Sequence, residues 1–184
     1  MSEPTTLGYA ILGLLQNPMS GYRVRKLFET TPMGHYSSGP GTIYPALKRL
    51  QEWGLIEQFE DKKSSAGKKL FRLTRKGKRK LIEWLSRPAS FEEVEKNLPL
   101  LLLRFAFMEN LVALEVKARF LESFKNGVDE QIKKLSQYRK QNRESMPLHG
   151  LLALDHGIQE YKASSRWAAY ALKAIIREGE SLDE

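Results

Sequence analysis

The chain has 184 residues, 41% of them apolar, a formal net charge of +8 and no cysteine. That is enough for one large domain or two small ones around real cores, and the missing thiols exclude disulfides, thiolate metal sites and cysteine nucleophiles. Residues 1–88 hold 16 Lys+Arg against 7 Asp+Glu while 89–184 hold 14 against 15, so the positive charge is confined to one half and is no general solubility device.

Met1-Ser2-Glu3-Pro4-Thr5 lacks the basic start of a secretion signal, and no stretch reaches the roughly 18 apolar residues of a membrane span, so a cytoplasmic protein without a membrane partner is expected. Thr5 or Thr6 can cap a first helix with Leu7, Ala10, Ile11, Leu14 and Leu15 at helical spacing, ended by Asn17-Pro18. Ser20 can cap a second, burying Val24, Leu27 and Phe28 and stopping before Pro32; a Gly/Ser-rich loop is expected from Met33 to Gly39. A third helix is predicted to begin near Gly41 or Thr42, with Ser38 and Gly39 both open as its cap.

Stepping 100° per residue puts Ile43, Leu47, Leu50 and Gly54 on the buried face of this third helix. Gly41, Thr42, Pro45, Lys48 and Arg49 then point outward, with Tyr44 on the shoulder. Pro45 is tolerable only in a first turn, where N–H groups have no helical partner. Leu55–Glu60 and Lys68–Leu73 read as two strands of a hairpin with a polar tip at 61–67, and Thr74 caps a fourth helix carrying Leu81, Trp84 and Leu85. Arg87-Pro88 closes a first domain, 1–88, and 89–184 forms a second.

Ser90-Phe91-Glu92-Glu93 has the pattern of a capping box, and Leu100–Met108 is apolar nearly all round, interrupted by Arg104. A long helix is expected from Asn110, with Leu111, Leu114, Leu121, Phe124 and Ile132 along one stripe. After Pro147 a last helix is expected from about Gly150 to Arg177, presenting Leu154, Ile158, Tyr161 and Leu172. Each would span on the order of 45 Å. A first domain of this size offers too little surface to cover both stripes, so these residues are assigned to a homodimer interface.

An outward helix face bearing Lys48 and Arg49, beside a lysine-rich ribbon, fits the groove and backbone of duplex DNA. Thr42 and Tyr44 are candidates for phosphate contacts, although Tyr44 can equally pack on the wing, and Tyr22 can equally serve a core. Lys62, Lys63, Lys68 and Lys69 are assigned to phosphates or the minor groove, with Arg72 assisting. Phe105, Trp167 and Tyr170 are candidates for lining a site for a planar apolar or aromatic effector, with plain packing as the competing reading. His35, His149 and His156 have no metal-ligand spacing, and no nucleophile–base pair or phosphate loop is present, so neither an enzyme nor a cofactor is expected.

Tyr9-Ala10-Ile11-Leu12-Gly13-Leu14-Leu15, Ser20-Gly21-Tyr22, Gly41-Thr42-Ile43-Tyr44-Pro45-Ala46-Leu47-Lys48-Arg49-Leu50, Gly54-Leu55-Ile56 and Leu73-Thr74-Arg75-Lys76-Gly77, in this order, resemble the PadR family of bacterial transcriptional regulators. The second half resembles the family's longer, virulence-activator-like C-terminal region by length and helical pattern. Leu70-Phe71 stands where the family commonly has an aromatic pair, and Gly39 where a serine is usual. The resemblance implies a mainly α fold with a small β-hairpin: an N-terminal winged helix-turn-helix followed by a C-terminal long-helix dimerisation domain. It implies a homodimeric repressor on an inverted-repeat operator in double-stranded DNA, usually released by a small effector. The alternative is a winged-helix interaction module whose basic face meets an acidic protein.

Overall fold

The structure, a computed structural model, describes residues 3–36, 39–61 and 68–182. It is mainly helical with one two-stranded antiparallel hairpin. The chain falls into two compact units, Met1–Leu85 and Ser86–Glu184.

The first unit contains α1 (Thr6–Leu14), α2 (Gly21–Thr30), α3 (Ile43–Glu52), β1 (Ile56–Asp61), β2 (Lys68–Leu73) and α4 (Arg75–Leu85). The threonine that caps α1 is Thr5, whose hydroxyl accepts from the Gly8 N–H at 3.3 Å, and Ser20 does the same for Arg23 at the start of α2. Gly8 through Gly13 are all buried, so α1 is the central element, and Tyr9 stacks on Trp84 of α4 at 4.5 Å between centroids. The segment expected as a loop from Met33 begins instead with a 3-10 turn over Pro32–Tyr36. Its proline presets φ, and the Thr31 carbonyl accepts the Gly34 N–H.

Gly54 is not on the buried face of α3. It lies past the helix end, exposed, at φ +66°, where a glycine avoids the Cβ penalty. Gly54 N–H donates to Gln51 O and Leu55 N–H to Leu50 O, so the last carbonyls of α3 are satisfied by a left-handed reversal. That reversal is tied to α4: the Thr74 hydroxyl donates to Gly54 O at 2.7 Å and accepts from Gly77 N–H at 3.0 Å, and Lys76 Nζ donates to Trp53 O at 2.7 Å. Gly-Leu-Ile and Leu-Thr-Arg-Lys-Gly are thus two halves of one junction.

β1 and β2 pair with Ile56 opposite Leu73 and Glu60 opposite Lys69. A third segment, which no alternation in the sequence marks, joins them: Met19 and Phe71 exchange both backbone hydrogen bonds, at 3.1 and 2.9 Å. Gly21 permits this closeness, since a Cβ there would sit 3.1 Å from Tyr44 and 3.4 Å from both Leu47 and Phe71.

The second unit contains α5 (Phe91–Ala106), α6 (Leu114–Gln141) and α7 (Leu148–Leu182). Ser90 and Glu93 form the reciprocal capping box, and the helix kinks at Asn97, two residues before Pro99. Arg104, only 1% exposed, is part of the core. Its guanidinium bonds to Glu93 at 3.0 Å and to the Arg87 carbonyl, and lies 4.6 Å from the Phe120 ring centre. Those partners answer the cost of burying a charge. They also draw residue 87 into the second unit, so the division between units falls after Leu85.

α6 starts at Leu114, four residues later than expected. Met108 O accepts the N–H groups of Leu111 and Val112, and the turn they close holds Leu111 ahead of the helix. α7 starts at Leu148, with the Pro147 carbonyl accepting the first helical bond from Leu151. The two helices run antiparallel: Ser165 donates to Asp129 at 2.6 Å, and Arg139 grips Asp155 with two nitrogens, one at 2.9 Å.

Within one chain this hairpin already covers part of the stripes assigned to a second copy. Leu121, Phe124 and Ile158 are buried within one chain, and Leu114, Ile132, Leu154, Tyr161 and Leu172 are half-buried. The short connection lets each helix cover the other's stripe. Among the described side chains of α7, Leu148, Leu152, Tyr170 and Ile176 are the large apolar ones left exposed.

Asp129 and Asp155 have pKa values below the ordinary aspartate range. For Asp129 partial burial pushes upward but is outweighed by hydrogen bonds from Lys125 and Ser165 and by the Lys125 and Lys133 charges. For Asp155 the Arg139 hydrogen bond leads, opposed by burial and aided by the charges of Arg139 and Lys162. A depressed folded pKa gives stability that is present above the unfolded value, about 4, and is lost as acid passes through the folded one. The thermal stability of the helical hairpin is therefore expected to fall below roughly pH 4, and to fall less in an Asp129→Asn/Asp155→Asn variant followed by circular dichroism. Equal acid sensitivity in both proteins counts against these pairs.

Candidate nucleic-acid interface

α3 is preceded by a 3-10 turn, Pro40–Thr42, entered through Gly39 at φ +136°. Thr42 occupies the cap position of α3 without a side-chain cap bond. Its hydroxyl donates to Gly39 O at 2.7 Å, which ties the turn together. Ser38 lies outside the described residues. A Cβ on Gly41 would meet nothing within 4 Å; packing does not demand glycine there, and its exposed backbone is open to close approach from outside.

Ile43, Leu47 and Leu50 anchor α3 in the core, each at most 2% exposed. The opposite face carries Arg49, exposed, and Lys48, whose side chain is 80% exposed and 3.9 Å from Glu52. So weak a surface pair leaves the Lys48 ammonium available. Tyr44 is 51% exposed and edges against Gly21; its neighbour Tyr22 is 57% exposed, which removes the core reading for it. The Arg25 guanidinium lies 5.6 Å from the Tyr22 ring centre. Two phenols thus mark the junction between the α2 start and α3.

On the ribbon Lys69 is exposed. Arg72 is already engaged: it bonds to Glu57 at 2.7 Å across the strands and lies 4.7 Å from the Phe59 ring centre. The Arg72 side chain remains half exposed. Lys62, Lys63 and the Lys68 side chain lie outside the described residues.

The aromatic group of the second unit consists of rings packed on rings. Trp167 meets Phe105 and Phe124 edge-on at 5.6 and 5.7 Å, and Phe105 lies 6.3 Å from Phe120. Tyr170, grouped with Phe105 and Trp167 in the sequence pattern, is 71% exposed.

One concavity among the described residues has no counterpart in the sequence pattern. A cleft of about 470 Å³ runs between the first turn of α1 (Thr5, Thr6, Leu7) and the outward side of α3 (Pro45, Ala46, Arg49). The threonines were legible only as capping residues.

The transcriptional regulator PadR-like family model matches residues 11–83. The negative transcriptional regulator PadR of Bacillus subtilis is 36% identical over 93 residues, which is 50% of this chain and 51% of that protein. The transcriptional regulator YqjI of Escherichia coli is 39% identical over 80 residues, 43% of this chain and 35% of that protein. The match thus spans about half or less of the length of these relatives. Among solved structures, Bacillus subtilis PadR in complex with operator DNA is 24% identical, covering 94% of this chain and 99% of that one at a TM-score of 0.43. The same protein in complex with p-coumaric acid is 23% identical, covering 95% and 98% at 0.42.

Proposed function

We propose, from the match of residues 11–83 to the transcriptional regulator PadR-like family model, that the chain is a sequence-specific regulator that binds double-stranded DNA as a homodimer, acting as a cytoplasmic repressor. The observation that carries the reading is the outward face of α3. Its core side is fully committed, while Lys48 and Arg49 are exposed on the other side, beside Tyr44 and a ribbon bearing Lys69. A helix of about 10–12 Å diameter with such a face fits a major groove about 12 Å wide, and the ribbon follows the backbone alongside.

The dimer reading rests on the family resemblance and on the apolar residues exposed along α7. Leu148 and Leu152 stand one turn apart, and Tyr170 and Ile176 extend the apolar surface toward the other end. Repression follows the name of the Bacillus subtilis relative. Release by a small apolar or aromatic effector is the regulatory half of the same reading.

In vitro selection of duplexes bound by the full chain tests it. An inverted repeat is expected, with half-sites about 10–10.5 base pairs or a multiple apart, together with a dimer by sedimentation. Recovery of no common sequence, or a monomer that binds one half-site, overturns the reading. Effector release is checked by adding small aromatic acids to the complex, with unchanged affinity across the set refuting that part.

A further inference from the structure

The cleft beside α3 shares Gly41, Thr42 and Arg49 with the face already assigned to DNA, while its α1 wall has no role described so far. Its two walls are of different origin: Thr5, Thr6 and Leu7 come from the first turn of α1, and Pro45, Ala46 and Arg49 from the side of α3 that faces away from the core. Arg49 supplies a cation, and the lining includes no carboxylate. The acidic residue closest in sequence to the α1 wall, Glu3, pairs with Lys80 at 2.5 Å and accepts from the Tyr9 hydroxyl. The Thr5 hydroxyl oxygen already accepts the Gly8 N–H, which leaves its own proton to donate. Leu7, Pro45 and Ala46 make the remainder of these walls apolar.

A helix of about 10–12 Å diameter nearly fills a groove about 12 Å wide, so a backbone rail must pass close on each flank of it. No described residue of β1 or β2 lines the cleft, so the ribbon and the cleft border different parts of the α3 surface. The cleft is continuous with the α3 face assigned to the groove, which gives it the same occupant.

We propose that the cleft seats the sugar–phosphate backbone of one operator strand, with Arg49 and the Thr5 and Thr6 hydroxyls meeting a phosphate and Leu7, Pro45 and Ala46 meeting the adjoining sugars. The first turn of α1 is then a DNA-contacting element in its own right. This rests on the DNA-binding reading above and extends it to a part of the fold outside the helix-turn-helix and the wing.

Two variants of opposite charge test it, measured by fluorescence anisotropy against the selected duplex at several salt concentrations. Thr6→Glu places a carboxylate in a first helical turn, where the helix dipole favours it, so folding is kept and is checked by thermal melting. Affinity at low salt is expected to fall at least about tenfold. Thr6→Lys is expected to raise affinity and to steepen the dependence of log affinity on log salt by about 0.9 per added contact. Ethylation of individual phosphates should reveal one position per half-site whose modification weakens the wild type and leaves Thr6→Glu unaffected.

Wild-type affinity in both variants, or an ethylation pattern identical in wild type and Thr6→Glu, overturns the proposal. If Lys48→Ala weakens binding in the same assay while the Thr6 variants do not, the cleft alone fails and DNA binding stands. If the wild type binds no duplex, the parent reading fails as well.

Discussion

Replacing Gly77 by alanine is expected to lower the melting temperature of the first unit by roughly 12–24 °C, equivalent to about 3 kcal/mol in a domain of this size. A Cβ at this position would stand 1.8 Å from the Leu55 carbonyl oxygen and 2.8 Å from its carbon, so the obstacle is backbone with no side-chain rotamer to yield. The same Leu55 oxygen accepts the Thr74 N–H at 3.1 Å and its hydroxyl at 3.2 Å. Moving α4 away would break those bonds and the Lys76 bond to Trp53 together. Gly41→Ala is the matched control, since its Cβ meets nothing: its melting temperature is expected to stay at the wild-type value. Differential scanning calorimetry decides the matter, and a Gly77→Ala melt within a few degrees of wild type would show that the junction is far more compliant than its geometry implies.

The second large effect is on DNA affinity. A dimer in which six to ten cations meet phosphates should lose about 10³–10⁵ in affinity between 50 and 200 mM salt. Lys48→Ala removes one exposed cation from each α3 and is expected to cost about 5–150-fold per head, the range of one good groove contact. Arg79→Ala makes the same change of charge on α4, where the guanidinium lies 4.0 Å from Glu83; its loss should be several times smaller. Equal losses would reduce the interface to overall charge and remove the assignment of α3 to the groove. A flat salt response would remove the phosphate contacts altogether.

The helical caps were legible because they are local. Ser20, Ser90 and Thr74 each sit within three residues of the N–H they satisfy, so the spacing alone announces the bond. The same holds for the alternating strands and for the buried side of α3, where Ile43, Leu47 and Leu50 repeat with the helical period. Gly54 defeated the same arithmetic: the period carried it onto the buried face, but the helix had already ended in a left-handed residue. Arg104 defeated it differently. A charge in an apolar run looks like an interruption until a carbonyl from residue 87 and a ring from α6 come to meet it.

What the sequence determined by itself is therefore the set of elements, their bounds to within a few residues, the free face of α3 and the location of the positive charge, all properties of neighbours along the chain. Only the tertiary structure decided that α6 and α7 cover each other's apolar stripe, that Arg72 spends its charge on Glu57 and the Phe59 ring, that Met19 joins the ribbon and that Thr6 faces Arg49 across a cleft. The physical reason is that periodicity and capping report how a residue sits relative to its own helix or strand. Which distant surface it meets depends on chain reversals and close approaches whose energies are summed over many contacts, and no local spacing records that sum.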